Sequence, residues 1–159
     1  MSFITTRLIG TFEDRTNVAR LGNRGTSRMA VSGDFDQDGD LDLYVVNDGQ
    51  AKVLYLNQGD GTFEAAPESA GLTDRSGGRS AVAGDFDQDG DLDIYLVKDR
   101  EANVLYLNQG DGTFTVAPPE ASVADEDRSW GVVAADFDHD SDLDLYVTNL
   151  AQANTLYLS

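Results

Sequence analysis

The chain has 159 residues, 29 of them acidic and 11 basic, for a formal net charge of −18. With no basic stripe to neutralise phosphates, that balance argues against a nucleic-acid partner. The absence of cysteine excludes disulfides and thiolate metal sites, and no apolar run approaches the ~20 residues of a membrane helix.

An apolar fraction of 40% supports one packed domain over residues 1–159. The opening Met-Ser-Phe-Ile-Thr-Thr-Arg carries no signal-peptide core. Gly10-Thr11-Phe12 follows, and it returns later as Gly61-Thr62-Phe63, so the chain opens on the last segment of a repeat. A strand is expected over Met29–Gly33, ending in the loop from Asp34 to Asp42. A second covers Leu41–Val46. It is apolar on both faces after Asp42, the pattern of a sheet packed between two others. A third covers Val53–Asn57 and runs into Gln58-Gly59-Asp60-Gly61, a tight-turn signal. A fourth begins at Thr62-Phe63, and a loop over residues 65–78 leads onward.

The unit then recurs. The segment from Gly33 to Asp42 returns unchanged from Gly84 to Asp93. It returns again from Ala135 to Asp144, with Ala135, His139 and Ser141 as its three changes. The spacing is 51 residues both times, and Leu54–Phe63 recurs at the same spacing as Leu105–Phe114. A register this clean points to recent duplication or to deliberate design. Four strands in a repeat of this length predict an all-β protein made of β-propeller blades, each of four antiparallel strands, three to the chain. Period-3.6 patterning is missing, and Gly, Asp and Asn are frequent, which disfavours helical repeats. The sequence stops at Leu156-Tyr157-Leu158-Ser159, short of a fourth strand for the third blade. Residues 1–14 match that strand. Three blades cannot comfortably close a ring, so residues 1–14 are expected to complete the last blade of a partner chain in a six-bladed homodimer, the alternative being a piece cut from a longer propeller.

Fifteen of the 29 acids fall in three windows, 34–42, 85–93 and 136–144. Counting Asp34 as the first position, carboxylates stand at positions one, three, five, seven and nine: Asp34, Asp36, Asp38, Asp40 and Asp42. The second loop offers Asp85, Asp87, Asp89, Asp91 and Asp93, and the third offers Asp136, Asp138, Asp140, Asp142 and Asp144. Alternate residues of a tightly wound loop can converge on one centre, and calcium takes six to eight oxygens. Side-chain oxygens are expected from positions one, three, five and nine. Position seven is expected to give its backbone carbonyl, with its carboxylate free or one layer out. Gly39 and Gly90 permit the sharp turn at position six, whereas Ser141 there should make the third site the weakest. Calcium is thus expected at three sites per chain, with magnesium a poorer fit because it demands a stricter octahedron. Carboxylate pairs can also hydrolyse glycosides, but a triplicated acidic loop suits a cation better than one catalytic constellation, so no enzyme activity and no catalytic residue are expected.

The run from Asp34 to Val45, with Leu-Tyr-Leu-Asn-Gln-Gly-Asp-Gly-Thr-Phe downstream, resembles the FG-GAP/VCBS repeat of integrin α-subunit-like propellers. The resemblance implies the same ligand positions and an extracellular or cell-surface setting. It also implies a role in adhesion, protein-ligand binding or lectin-like recognition, some members being modules of polysaccharide-degrading enzymes. Partner binding in the family uses the face opposite the metal loops. That face would present Arg28, Arg79 and Trp130, which share one repeat position, together with residues 48–52, 99–103 and 150–154. A glycan could stack on Trp130; packing at a blade junction is the alternative for Trp130, as pairing with carboxylates is for the two arginines. His139 replaces Gln37 and Gln88 and is expected to face solvent. The phenylalanines and paired tyrosines are expected in the core.

Overall fold

A computed structural model describes residues 11–124 and 128–159. Three antiparallel sheets follow one another along the chain. The first holds β1 (Ser27–Gly33), β2 (Asp42–Asn47), β3 (Val53–Asn57) and β4 (Phe63–Ala65) in sequential order. The second repeats it with β5 (Gly78–Gly84), β6 (Asp93–Lys98), β7 (Val104–Asn108) and β8 (Phe114–Val116). The third holds β9 (Ser129–Ala135), β10 (Asp144–Asn149) and β11 (Thr155–Tyr157). β1 packs beside β5 and β5 beside β9, so the first strands form the inner side of an arc of blades.

Register explains how each blade carries its loop. Gly33 lies opposite Asp42, so the aspartate loop closes the β1–β2 hairpin, and Asn57 lies opposite Phe63 across the next tight turn. The second blade repeats both pairings as Gly84 with Asp93 and Asn108 with Phe114. The two glycines also let the blades close up. A Cβ on Gly33 would stand 2.9 Å from Leu92 of the second blade, and one on Gly84 would stand 2.7 Å from Leu143 of the third.

The core lies between blades. Phe35, Tyr44, Val46 and Leu54 of the first blade bury themselves against Ile94, Leu96, Tyr106 and Phe114 of the second. Tyr95 and Val97 point the other way, onto Leu145 and Val147 of the third. Strand β6 is consequently buried along its whole length, as its two apolar faces require, whereas β2 and β10 are each partly open on one side.

Several boundaries and core assignments differ from the expectation. The second strand begins at Asp42, leaving Leu41 in the loop, and the inter-blade connection contains a 3-10 turn at Glu68–Ala70. Phe12, Phe137 and Tyr146 are exposed rather than buried, at 103%, 45% and 37%. Tyr146 lies on the side of the third blade turned away from the second, and Phe12 touches no blade. Of the N-terminal strand expected within residues 1–14, residues 1–10 lie outside the described residues, and residues 11–14 form no strand.

Candidate metal centre

Each aspartate loop brings three carboxylates together. Asp34, Asp36 and Asp42 converge in the first, Asp85, Asp87 and Asp93 in the second, and Asp136, Asp138 and Asp144 in the third. In each triad one oxygen per residue lies within 4.8 Å of the others. The ninth residue is the anchor. Asp42 is buried, its Oδ2 accepting the Phe35 N–H at 2.9 Å and its Oδ1 the Asn57 N–H at 2.8 Å. Asp93 accepts likewise from Phe86 and Asn108, both at 2.9 Å. Asp144 accepts from Phe137 at 2.7 Å and Ser159 at 2.9 Å. In the first two blades one carboxylate thus ties the loop to the start of the tight turn between the third and fourth strands, with lone pairs left over.

The rest of the loop winds on its own aspartates. Asp34 accepts the Gly39 N–H at 3.1 Å and Asp38 the Asp40 N–H at 2.9 Å. Asp38, Asp89 and Asp140 lie outside the close triads. In the second and third loops the seventh residue reaches across to a neighbour: Asp91 accepts from the side-chain amide of Gln37, and Asp142 from that of Gln88. Their carboxylates are therefore not free; each joins its loop to the blade before it. The fourth position was unmarked in the sequence except as the site of the Gln-to-His change. Gln37, Gln88 and His139 all adopt left-handed backbone there, at φ 60°, 61° and 69°. His139 faces solvent.

Electrostatics set these sites apart from ordinary acidic turns. Burial pushes Asp93 up to about 6, outweighing its two backbone hydrogen bonds. Burial also raises Asp42, Asp36 and Asp87. Asp144 moves the other way, held below the usual range by the Ser159 and Phe137 N–H groups. Its own surface is just as covered, but among the described residues its sheet has three strands and less protein surrounds it. Asp34 Oδ1 and Asp85 Oδ1 are buried without a hydrogen-bond partner. A carboxylate oxygen removed from water and left unpaired is costly, and a hard divalent cation fits this all-oxygen donor set. In the third loop the matching oxygen, Asp136 Oδ1, instead takes the His139 N–H at 2.6 Å. Ser141 holds φ 83° where Gly39 and Gly90 hold 94° and 97°, a region that costs a residue with a Cβ about 1–2 kcal/mol.

At the opposite end of the blades a ladder of alternating charge crosses the inner strands. Arg28 meets Asp48 at 2.6 Å. Arg79 bridges Asp48 at 2.7 Å and Asp99 at 2.8 Å, and Arg128 meets Asp99 at 3.3 Å. Arg28 and Arg79 are thus paired, as the alternative reading had it. Trp130, half exposed at 52%, carries the Arg79 guanidinium 5.1 Å from its ring centre. The other members of the ladder, Asp48, Asp99 and Arg128, could have been found in the sequence by asking what faces Arg28 one strand away.

No helix among the described residues is long and apolar enough to cross a membrane. The family model for the FG-GAP-like repeat matches residues 34–96 and 85–147. Cartilage acidic protein 1 of Homo sapiens is 34% identical over 125 residues, covering 73% of this chain and 19% of that protein, and the Mus musculus protein gives the same figures. The Xenopus tropicalis protein is 32% identical over 115 residues, covering 69% of this chain and 18% of its own length. The chain spans about a fifth of the length of these curated relatives. With two overlapping matches beginning at the first and second aspartate loops, the chain belongs to the FG-GAP-like repeat family.

Proposed function

We propose that the chain is a non-enzymatic calcium-binding propeller module, a structural and recognition scaffold in which a cation clamps the β1–β2 type hairpin of each blade. The observation that carries this reading is the orphaned buried oxygen of Asp34 and Asp85, each inside a carboxylate triad. The triad residues supply side-chain oxygens, the fifth residue joins them as the loop tightens, and the seventh gives its carbonyl. An extracellular setting accords with the name of the cartilage relatives, and calcium sites of extracellular modules work at 10⁻⁴–10⁻³ M. Two copies are proposed to close one six-bladed ring, because the outer faces of the first and third blades expose Leu41, Tyr146 and Leu156.

Thermal melting in calcium, in magnesium and after chelation tests the metal reading. Calcium at a hundredfold excess over its dissociation constant adds ~2.7 kcal/mol per site, so the melting temperature should rise steeply, and less with magnesium. Identical curves in calcium and in chelator would sink it. A second reading, glycan binding on the ladder face, is favoured by the exposed ring of Trp130 beside Arg79. A glycan array run in calcium separates the two: a hit lost in Trp130→Ala supports recognition of sugars, and silence leaves the scaffold.

A further inference from the structure

The first two aspartate loops touch each other through three contacts, each made by a different part of the second blade. Asn108 makes the first. It is buried, and its backbone N–H is the one that Asp93 accepts at 2.9 Å, so it holds the anchor of the second loop. Its side-chain amide crosses the blade junction and donates to the Phe35 carbonyl at 2.9 Å. Phe35 stands between Asp34 and Asp36, and its own N–H is held by Asp42, the anchor of the first loop. The second contact is the Gln37 amide, which donates to the Asp91 carboxylate. The third is close packing: a Cβ on Gly112 would stand 3.3 Å from the Cβ of Asp36.

These contacts join the moving parts of two sites. Closing the first loop on its carboxylates fixes the backbone from Asp34 to Asp38, and with it the Phe35 carbonyl and the base of Gln37. Those are the groups that hold Asn108 and Asp91. A loaded first loop therefore orders in advance the residue that steadies Asp93 and the residue expected to offer its carbonyl in the second. An ordering cost already met is not met again, so the second binding event is stronger without any change of shape. By linkage the effect is equal in both directions. We infer that the first and second loops take up calcium with positive cooperativity, and that Asn108 and Gln37 carry the coupling. The inference rests on the calcium reading and adds communication between two of its sites. Charge acts the other way, because an ion in one loop weakens the negative field at the next. Salt screens that effect between exposed charges beyond ~8 Å, whereas the buried bond from Asn108 to Phe35 is kept.

The test is calorimetric titration of the full chain with calcium at physiological salt. Asp138→Asn disables the third loop and leaves two sites. Adding Asp87→Asn leaves the first loop alone, and adding Asp36→Asn instead leaves the second alone. The coupling factor is the product of the two stepwise binding constants divided by the product of the two single-site constants. The expected factor is about five or more, falling to about one when Gln37→Ala and Asn108→Ala are added throughout. Asn108→Ala takes a buried donor from the Phe35 and Leu92 carbonyls. Where that variant does not fold, Gln37→Ala alone, at an exposed side chain, must lower the factor, and an unchanged factor would overturn the route. Two ions bound with a factor of one or below would overturn the coupling and leave the calcium sites standing. Fewer than two ions bound in the two-loop chain would overturn both. A factor above one that survives Gln37→Ala and Asn108→Ala would overturn the role of these two residues.

Discussion

Lys52 reaches into the junction of the first two blades and meets Asp74 there, Nζ to Oδ1 at 3.0 Å. Lys98 of the second blade holds the other oxygen of the same carboxylate, also at 3.0 Å. Both lysines are buried. Burial alone would raise Asp74, but hydrogen bonds from Ser76 and from both ammonium groups override it and hold the carboxyl far below the usual range. The residues one repeat on from Lys52 and Lys98 are Asn103 and Asn149, so this charged junction is peculiar to one place in the arc.

Removing the shared carboxylate leaves two buried cations unpaired. Asp74→Ala should lower stability by about 3–5 kcal/mol, the usual cost of breaking a buried ion pair from one side. Replacing all three groups together, with Lys52→Asn, Asp74→Asn and Lys98→Asn, should recover most of that loss. Denaturant melts of the two variants check it; equal stability of Asp74→Ala and wild type would show the lysines reach water.

The third loop should be the weakest. Ser141→Gly removes the Cβ from a left-handed position and should raise stability in calcium by about 1 kcal/mol. Titration calorimetry would show the weakest of the three sites tightening towards the others. Three sites already equal in the wild-type chain would place the strain elsewhere.

The calcium-free protein should respond to pH in an unusual direction. Asp93 rises from an ordinary 3.8 to about 6 on folding, through burial. Between those values the folded chain binds more protons than the unfolded one, so this contribution is complete below about 4 and is lost as pH rises through about 6. Asp74, Asp48 and Asp99 are depressed and act oppositely, withdrawing stability as pH falls below 4. Without metal, melting temperature should therefore be higher at pH 5 than at pH 7.5. Calcium should reverse the order, because it competes with protons for the same oxygens. Melting at both pH values, with and without calcium, reads the sign.

The blades were plain in the sequence because two markers recur at a fixed spacing, and a run apolar on both faces, Leu43-Tyr44-Val45-Val46, pointed to a sheet between two others, a place that its copy β6 takes while β2 stays half-buried on one side. The loops were plain for the same reason. What periodicity could not show is which oxygens converge. Asp38 and Asp42 look alike in an alternating run, yet only Asp42 sits opposite Gly33 and is gathered under the hairpin. Contacts between blades were hidden too. The reach of Gln37 to Asp91 spans 54 residues and depends on a left-handed turn at a glutamine, for which no sequence rule exists. Phe137 and Phe12 followed the repeat faithfully, but their burial depends on protein that stands next to them and not on their own sequence.

The ladder of Arg28, Asp48, Arg79, Asp99 and Arg128 has a consequence for the molecule seen from a distance. It leaves one end of the blades locally balanced, while fifteen acids crowd the other. The chain is accordingly polarised, and its field draws small cations to the loop end from beyond contact range, falling off within the ~8 Å Debye length of physiological salt. Three divalent ions would reduce the formal −18 to −12 and spend the whole change at that end. A large anionic partner would be turned, as it approaches, towards the neutral end where Trp130 stands.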